Sequence, residues 1–311
     1  MTDTDLTPYI AANTALKWLR HWHGETMPEA TNLDVLRQML PGTPYGKGVR
    51  EIKAPMPLNI NGFEGALVRN PDDPAEWGIL YKEYATPERS RFTIAHELGH
   101  FILHRALQDR FECDNGGVTS GQFDGRNIER EANEFASNLL MPMDLLRRLL
   151  GDQRKVTLHQ LSDIARTFEV SFEALCLRFI EATDQRAILI HWDQGFLKYQ
   201  RPSRNARKTG AFVRQSESAQ EPFAGTLAAD DSVVQCFDGV ECSAAIWCAE
   251  EREHMKLREF KHSYTDRDRV ITLLLLESAE PRSWDRTWQD ENSFDCSDQF
   301  ASNGHLTTSE R

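Results

Sequence analysis

The pattern of apolar residues changes near Asp184, and this change constrains the fold more than any other feature of the sequence. Before Asp184, apolar residues recur mainly at helical spacing, whereas after it they form short strand-like runs between polar turns. A chain of 311 residues also exceeds the size at which one hydrophobic core usually keeps growing. We therefore predict an α+β protein built from several units.

Five segments follow from this pattern. They are a helical cap (1–50), a mainly helical domain with a small sheet (51–150) and a helix pair with helix-turn-helix spacing (151–184). A β-rich C-terminal domain (185–281) and a polar tail (282–311) follow. In the cap, one apolar helical face is expected at Ile10, Leu16, Leu19 and Trp22. In the β-rich domain, strands are expected at AILIHW, FLKY, SVVQCF, AAIWCA, MKLREF and VITLLLLE.

Charge and hydropathy restrict the partners of the chain. A net charge of −12 disfavours nucleic acid, because phosphates are repelled by an acidic surface. The first ten residues lack the basic and apolar regions of a secretion signal, and the most apolar run, Ile271–Leu276, is too short to cross a membrane. The six cysteines form no CxxC pair, so free thiols are expected. We predict a cytoplasmic protein without a membrane span.

Two histidines four residues apart occur in the run His96-Glu97-Leu98-Gly99-His100. Because Pro87 to Leu107 is predicted to be a helix, both imidazoles project from one side and can bind one tetrahedral ion. Glu97 beside them can take a proton from the attacking water and deliver it to the leaving amine. The apolar residues that flank the run indicate a buried helix, which argues against a chance match. The proton transfer by Glu97 beside a bound ion is the chemistry of peptide hydrolysis.

A catalytic zinc site needs a third protein ligand. The pattern HExxHxxGxxH fails, because positions 103 and 106 hold Leu103 and Ala106. His104 continues the four-residue spacing, but three ligands along one straight helix cannot converge on one ion. We therefore expect His104 to be an outer residue of the site or a surface residue.

The remaining ligand candidates lie on a second predicted helix, NIEREANEFASNLL, which contains Glu129, Glu131 and Glu134. Glu129 shares a helical face with Asn133 and with two alanines, which would let this helix approach the first one closely. Glu129 is thus the predicted third ligand, and Asn133 is placed to orient a ligand histidine. Glu131 and Glu134 are expected to point into solvent.

Other polar residues near these helices have less certain roles. Tyr81, Tyr84 and His104 are candidates for stabilising the oxyanion, and the sequence does not choose among them. Cys113 opens the glycine-rich segment between the two helices, so it could reach the metal as a blocking thiolate. The alternative, a free cysteine in a loop, is favoured.

The helix pair LHQLSDIARTF and SFEALCLRFIE is joined by a turn at Glu169–Ser171. The predicted exposed positions of its second helix carry Glu173, Arg178 and Glu181, whereas duplex readout favours several basic or amide side chains. We therefore predict a packing or docking unit. The basic stretch at 201–208 is interpreted as a solvated loop between strands.

The segment RFTIAHELGHFILH, followed by EREANEFASNLLMP, resembles the ImmA/IrrE family of metallopeptidases over Arg91–Pro142. The resemblance implies a gluzincin-like site in which His96, His100 and Glu129 hold Zn2+ and Glu97 is the base. It also implies that the partner is a protein substrate, a helix-turn-helix repressor in a stress-response, defence or mobile-element circuit. Some members carry a sensor-like C-terminal domain, similar to the order expected here.

A second class of function competes with this one. The chain could be a transcriptional regulator or an interaction module in which zinc is only structural. A structural site is closed by four protein ligands and has no use for a base, whereas three ligands beside Glu97 leave room for water. The sequence predicts the open arrangement.

Overall fold

The computed structural model describes residues 6–24, 28–84, 86–114, 125–151, 156–213, 219–264 and 268–280. They divide into two compact units. The first contains the residues up to Met143 together with Thr167–Ser171, and the second contains Asp144–Arg166 and the residues from Phe172 onwards. Helices and strands occur in both units, so the predicted α+β class is confirmed. Across the described ranges, no helix combines the length and the apolar character needed to cross a bilayer. The finer division into five segments stays a prediction.

The first unit combines helices with a five-stranded sheet. Its helices are α1 (Pro8–His23), α2 (Leu33–Met39), α3 (Pro87–Leu103) and α4 (Gly125–Leu140), and its strands are β1 (Glu51–Ile52), β2 (Met56–Pro57), β3 (Phe63–Arg69), β4 (Glu76–Tyr81) and β5 (Arg110–Asp114). The strand order is β1-β4-β3-β5, and β2 also pairs with β4. Strands β1 and β2 run parallel to β4, whereas β3 is antiparallel to both of its neighbours.

Helix α1 begins where the Thr7 hydroxyl accepts a hydrogen bond from the Ile10 amide, with proline in the first turn. Leu16 and Leu19 are buried as predicted. Ile10 and Trp22 are exposed, however, so their assignment to the apolar face was wrong. Three alanines occupy the buried side instead, and small residues allow α1 to pack closely against α4.

Helices α3 and α4 pack together through small residues. Pro87 lies in the first turn of α3, where its fixed φ suits the helix, and α3 ends at Leu103 rather than at the expected Leu107. A Cβ atom on Gly99 would lie 3.2 Å from the Cα and O atoms of Ala132, a tighter contact than most Cβ atoms make, so the glycine favours the close approach of α4 to α3. This close approach sets the spacing between the residues that the two helices carry.

Strand β5 was not expected from the sequence. It pairs with β3 in antiparallel register, and Cys113 lies opposite Gly65. The prediction that Cys113 lies in a loop is therefore wrong, because backbone pairing with β3 extends the sheet to this residue. The predicted glycine-rich segment beyond it, residues 115–124, lies outside the described residues.

The second unit is built around a five-stranded sheet. Chain segments here form α5 (Met143–Leu150), α6 (Leu158–Phe168), α7 (Phe172–Ala182), β6 (Arg186–Asp193), β7 (Phe196–Pro202), α8 (Arg204–Lys208), β8 (Gln235–Ser243), α9 (Ala244–Trp247), β9 (Lys256–Tyr264) and β10 (Arg269–Leu276), with Met143 and the last residues of α6 assigned to the first unit. The strand order is β7-β6-β10-β9-β8, and every pair is antiparallel.

Two segments of this unit differ from the prediction. The run AAIWCA was expected to be a strand but contains α9, where Trp247 is buried in the core beside Trp192. The basic stretch was expected to be a loop but forms α8, because the Ser203 hydroxyl accepts a hydrogen bond from the Ala206 amide and Ala206 is buried. Burial of apolar side chains decides the structure in both places.

Helix α7 is largely buried, since it packs against β6 and β7. Arg178 is only 5% exposed and pairs with Glu181, and Glu173 accepts hydrogen bonds from neighbouring side chains. The prediction of an exposed position was therefore wrong for Arg178 and Glu173, whereas Glu181 is exposed as predicted. Glu169, in the turn before α7, has a φ of 55°, a left-handed conformation that glycine usually occupies.

Candidate metal centre

The centre begins with two buried histidines on α3. His96 and His100 are one helical turn apart, and their Nε2 atoms lie 2.9 Å from each other. The HELGH run thus places two nitrogen atoms at one point, as the helical spacing predicts. Phe111 of β5 stacks on the His100 ring, with centroids 4.8 Å apart, and covers one of its faces. Nothing in the sequence pattern indicated this contact.

Helix α4 supplies the third group. The Oε2 atom of Glu129 lies 3.2 Å from Nε2 of His96, and its Oε1 atom lies 3.2 Å from Nε2 of His100. One carboxylate therefore faces both imidazoles. Glu129 is the member of the three candidate glutamates that reaches this point.

The other ring nitrogens of the histidines are also engaged. Nδ1 of His96 lies 2.8 Å from Oδ1 of Asn133, an oxygen that can only accept, so Nδ1 carries the proton. Nδ1 of His100 lies 3.1 Å from Nδ1 of His104, whose Nε2 lies 2.9 Å from Glu131. If His104 is neutral and donates from Nε2 to Glu131, its Nδ1 accepts from His100.

This arrangement leaves a lone pair on Nε2 of both His96 and His100, which is what a metal ligand requires. His104 is buried and contacts a ligand candidate rather than the shared point. Glu131 was expected to be solvated, and that prediction was wrong, because its carboxylate pairs with His104.

Glu97 is fully buried beside the centre, and its Oε2 atom has no hydrogen-bond partner among the described residues. Burial raises the pKa of this carboxyl to about 8; the interaction with His96 opposes the shift, and the negative charge of Glu129 adds to it. Gly65 of β3 makes room for it, because a Cβ atom there would lie 2.6 Å from Oε1 of Glu97. Gly65 was missed in the sequence, where nothing distinguishes it from a turn glycine.

Charge within the centre favours an ionised Glu129. Burial alone would raise the pKa of Glu129, but its contacts with His100 and His96 lower this pKa well below the ordinary value. Burial lowers the pKa of His100 to about 4, so this ring is neutral near pH 7. Burial also disfavours charge on His96, but contact with Glu129 raises its pKa.

Cys113 lies against the same point from β5. Its Sγ atom is 3.2 Å from Nε2 of His96 and 3.3 Å from Oε2 of Glu129. Candidate ligand atoms of His96, His100, Glu129 and Cys113 all lie within 4.8 Å of one another. Burial and the nearby carboxylates raise the pKa of the thiol well above its ordinary value. Chemically, the group offers two nitrogens, an oxygen and a sulfur to one cation.

The two candidate tyrosines lie on the sheet side of the unit. The Tyr84 hydroxyl donates to Glu64, which also pairs with Arg89, and burial raises the pKa of Tyr84 to about 12. Tyr81 ends β4 and lies opposite Gly65, the residue next to Glu97. The sheet thus aligns Tyr81, Gly65 and Cys113 in one row across β4, β3 and β5.

Comparison with known proteins locates the similarity in the same region. Residues 56–179 match the model of a peptidase family described as the IrrE N-terminal-like domain. Two curated relatives are the radiation response metalloproteases IrrE of Deinococcus radiodurans and of Deinococcus deserti. Each is 33% identical over 111 residues, which cover 36% of this chain and 33% or 38% of the relative. The match thus spans about a third of the length of these relatives. Residues 56–179 are thus similar to the IrrE N-terminal-like domain, which confirms the family resemblance of the two sequence motifs.

Proposed function

We propose that the chain is a zinc-dependent endopeptidase with a gluzincin-like site. In this proposal His96, His100 and Glu129 hold Zn2+, and Glu97 is the general base. The observation that carries it is the convergence of two histidine Nε2 atoms and one carboxylate, with separations of 2.9 and 3.2 Å. The family match supports a metalloprotease, and the donor set supports zinc as the metal.

The donor atoms fit a divalent cation. Two neutral imidazoles and one carboxylate are the ligand set of a known class of catalytic zinc sites, and each histidine is oriented through its other nitrogen. Two Nε2 lone pairs and an ionised carboxylate facing one another repel unless a cation or protons lie between them. A divalent ion bound here would supply a Lewis acid that activates water and polarises a peptide carbonyl.

The residues around these ligands have separate tasks. Glu97 accepts the proton of the attacking water and returns it to the amine that leaves. Burial helps Glu97 to hold the proton between these two steps, because a buried neutral carboxyl costs less free energy than a buried carboxylate. Asn133 and the His104–Glu131 pair hold the two imidazole rings in the orientation that presents Nε2.

Among the three oxyanion candidates, we favour Tyr81. The hydroxyl of Tyr84 is engaged by Glu64, and both nitrogens of His104 are engaged by other side chains. Side chains opposite each other in antiparallel strands share a face, and a Cβ on Gly65 would point at Glu97, so Tyr81 lies on the Glu97 side of the sheet. Tyr81→Phe should lower kcat with KM little changed; an unchanged kcat would remove this role.

The substrate class follows from the relatives rather than from the site. Because both curated relatives are named radiation response metalloproteases, we propose a stress-response circuit. The family resemblance of the two sequence motifs adds, as the proposed substrate, a cytoplasmic regulatory protein such as a helix-turn-helix repressor. The buried face of α7 argues against DNA binding through this helix. A mobility-shift assay at physiological salt should therefore show no tight complex with duplex DNA, and tight binding would contradict the proposal.

We propose that the helix-turn-helix-like pair and the β-rich segment at 185–281 select the protein substrate or receive a signal. General proteolysis would harm the cell, so access to the centre must be restricted. Because α7 is buried against β6, a truncation near Asp184 would uncover this helix, and surface substitutions are the better test. If replacing exposed residues of this segment, such as Val240 on β8, altered neither substrate choice nor rate, the proposed selecting role of the segment would be wrong.

A structural zinc site is the second candidate, and Cys113 favours it, since a fourth donor could close the centre. Glu97 separates the two functions. A structural site gains nothing from a buried carboxylate whose Oε2 atom has no partner among the described residues, whereas a peptidase needs a base at this place. We therefore favour the peptidase.

The decisive experiment compares the zinc-loaded wild type with Glu97→Gln and with Glu88→Gln, a control on the first turn of the same helix. Each is incubated with a proteome-derived peptide library, and new amino termini are identified by mass spectrometry. Wild type and Glu88→Gln should cut the same peptides, whereas Glu97→Gln should bind zinc and cut none. Equal cleavage by Glu97→Gln and the wild type would contradict the proposed activity.

A further inference from the structure

We propose that Cys113 is a fourth metal ligand that closes the centre in the resting protein, so that cleavage requires displacement of its thiolate. This inference rests on the proposed metal site. It adds a regulatory step to that site, since a centre with four protein ligands has no position for water or a substrate carbonyl.

The geometry of the four donors supports this ligand set. Zinc–ligand bonds of about 2.0–2.3 Å give tetrahedral donor–donor separations of about 3.3–3.6 Å. The separations among His96, His100 and Glu129 are 2.9, 3.2 and 3.2 Å. Sγ of Cys113 lies 3.2 Å from His96, 3.3 Å from Glu129 and 4.0 Å from His100. His96 and Cys113 face Oε2 of Glu129 and His100 faces its Oε1, and one donor atom from each of the four residues lies within 4.8 Å of the others, so the four donors surround one point.

The position of Cys113 is fixed by the sheet. Pairing of β5 with β3 sets Cys113 opposite Gly65, and Gly65 is the residue whose missing side chain accommodates Glu97. A single register thus brings the thiol and the buried base to the same point. A one-residue slip of β5 would turn the thiol to the other face of the sheet.

The thiol also occupies the place that the reaction needs. Its Sγ atom lies 3.7 Å from Oε1 of Glu97 and within reach of both histidine Nε2 atoms. A water that Glu97 deprotonates must lie between Glu97 and the metal ligands, and the sulfur of Cys113 lies at this place. Cys113 and an activated water therefore exclude each other.

The closing step balances without an oxidant. The thiol loses its proton to solvent as sulfur binds the divalent cation, and no electrons are transferred. Opening reverses this exchange, because the thiolate takes up a proton and a water or peptide oxygen replaces it. The displaced thiol then lies between Glu97 and Glu129, two carboxylates that favour its neutral form.

Cobalt substitution tests the ligand directly. The full chain is stripped with a chelator and loaded with Co2+, and the wild type is compared with Cys113→Ser and with Cys242→Ser. Cys242 is a suitable control because it is another partly buried thiol beside a carboxylate, Glu259. The wild type and Cys242→Ser should show a thiolate-to-cobalt charge-transfer band in the near ultraviolet, and Cys113→Ser should lose it while keeping its d–d bands.

Two further readouts use zinc. Zinc-edge X-ray absorption of the unmodified chain should count one sulfur ligand, which tests the inference even if Cys113→Ser folds poorly. Competition with a chromophoric chelator should show weaker zinc binding in Cys113→Ser, on the order of 10- to 100-fold, at least the loss expected for an outer residue of a metal site. At saturating zinc, Cys113→Ser should cut the peptide library faster than the wild type.

The outcomes separate this inference from the proposed function. Cobalt d–d bands without charge transfer in the wild type, or a zinc site without sulfur, would overturn the role of Cys113 and leave the metal centre intact. A charge-transfer band that persists in Cys113→Ser would do the same. Slower cleavage by Cys113→Ser would contradict the closed resting state. Failure of the wild type to bind either metal would overturn both proposals.

Discussion

Each of the two units contains a buried cluster of histidine and carboxylate, and the two clusters differ in where their protons lie. In the second unit, Oε1 of Glu173 lies 2.6 Å from Nδ1 of His191 and accepts a 2.8 Å hydrogen bond from the Tyr199 hydroxyl. Arg269 lies 3.5 Å from its other oxygen. The Tyr199 hydroxyl donates a hydrogen bond and the Arg269 guanidinium carries a positive charge, so neighbouring side chains balance the negative charge of this carboxylate.

In the first unit the protons face away from the shared point. Asn133 and His104 engage the Nδ1 atoms of His96 and His100, which leaves both Nε2 lone pairs directed at Glu129. Residue types alone would not distinguish the two clusters. What identifies a cation site is that the free lone pairs converge while the ring protons are used elsewhere.

The largest expected effect comes from Glu97→Gln. An amide cannot accept the proton from water, so the cleavage rate should fall about 100- to 10,000-fold with zinc content unchanged. The matching change in the other cluster, Glu173→Gln, should leave the rate unaltered. A Glu97→Gln protein that retains wild-type rates in a peptide-cleavage assay would show that the two clusters do not differ in function.

Removing the metal should destabilise one unit selectively. A ligand at 100 times its dissociation constant stabilises the folded state by about 2.7 kcal/mol. Chelation should therefore increase hydrogen exchange in peptides from α3 and α4, with little change in β6 and β10. Equal increases in both units, or none in α3, would contradict a metal centre confined to the first unit.

Asn133→Ala should produce a smaller change. Without the acceptor for Nδ1, His96 is free to rotate or to change tautomer, and zinc affinity should fall about 10- to 100-fold. Asn127→Ala is the control, because Asn127 lies on the same helix and bonds only Arg130 among the contacts described. Equal affinities of the two variants, measured by chelator competition, would remove the orienting role of Asn133.

The sequence predicted which residues converge at the candidate centre better than it predicted their surroundings. The helical period fixes which residues of HELGH and of α4 share a face, so Glu129 could be chosen from three glutamates without tertiary information. Contacts between distant segments of the chain produce no repeating pattern in the sequence. The pairing that brings Cys113 opposite Gly65, and the His104–Glu131 pair, depend on sheet register and on helix rotation. The strand predicted at AAIWCA failed because burial of Trp247 outweighed local propensity.

The smallest expected effect concerns Glu173 and pH. Burial raises the pKa of Glu173, but contact with His191 outweighs burial and lowers it below the ordinary value of 4.5. Its stabilising contribution is thus fully present above about pH 4.5 and is lost as the pH falls through the folded-state pKa. Glu173→Gln should cost about 1.5 kcal/mol at neutral pH and should flatten the acid limb of the stability curve. Denaturant melts at about pH 3 to 7 check this, and an acid limb as steep as in the wild type would exclude Glu173.

The most direct test of the account is the metal content of the purified chain. We expect about one zinc ion per chain in the wild type and in Glu112→Gln, whose carboxylate lies on β5 next to Cys113 and pairs with Arg110 instead. His100→Ala and Glu129→Ala should lose most of the ion, because each removes one of the proposed ligands. Elemental analysis of the folded proteins that found full zinc in Glu129→Ala, or none in the wild type, would contradict the central claim.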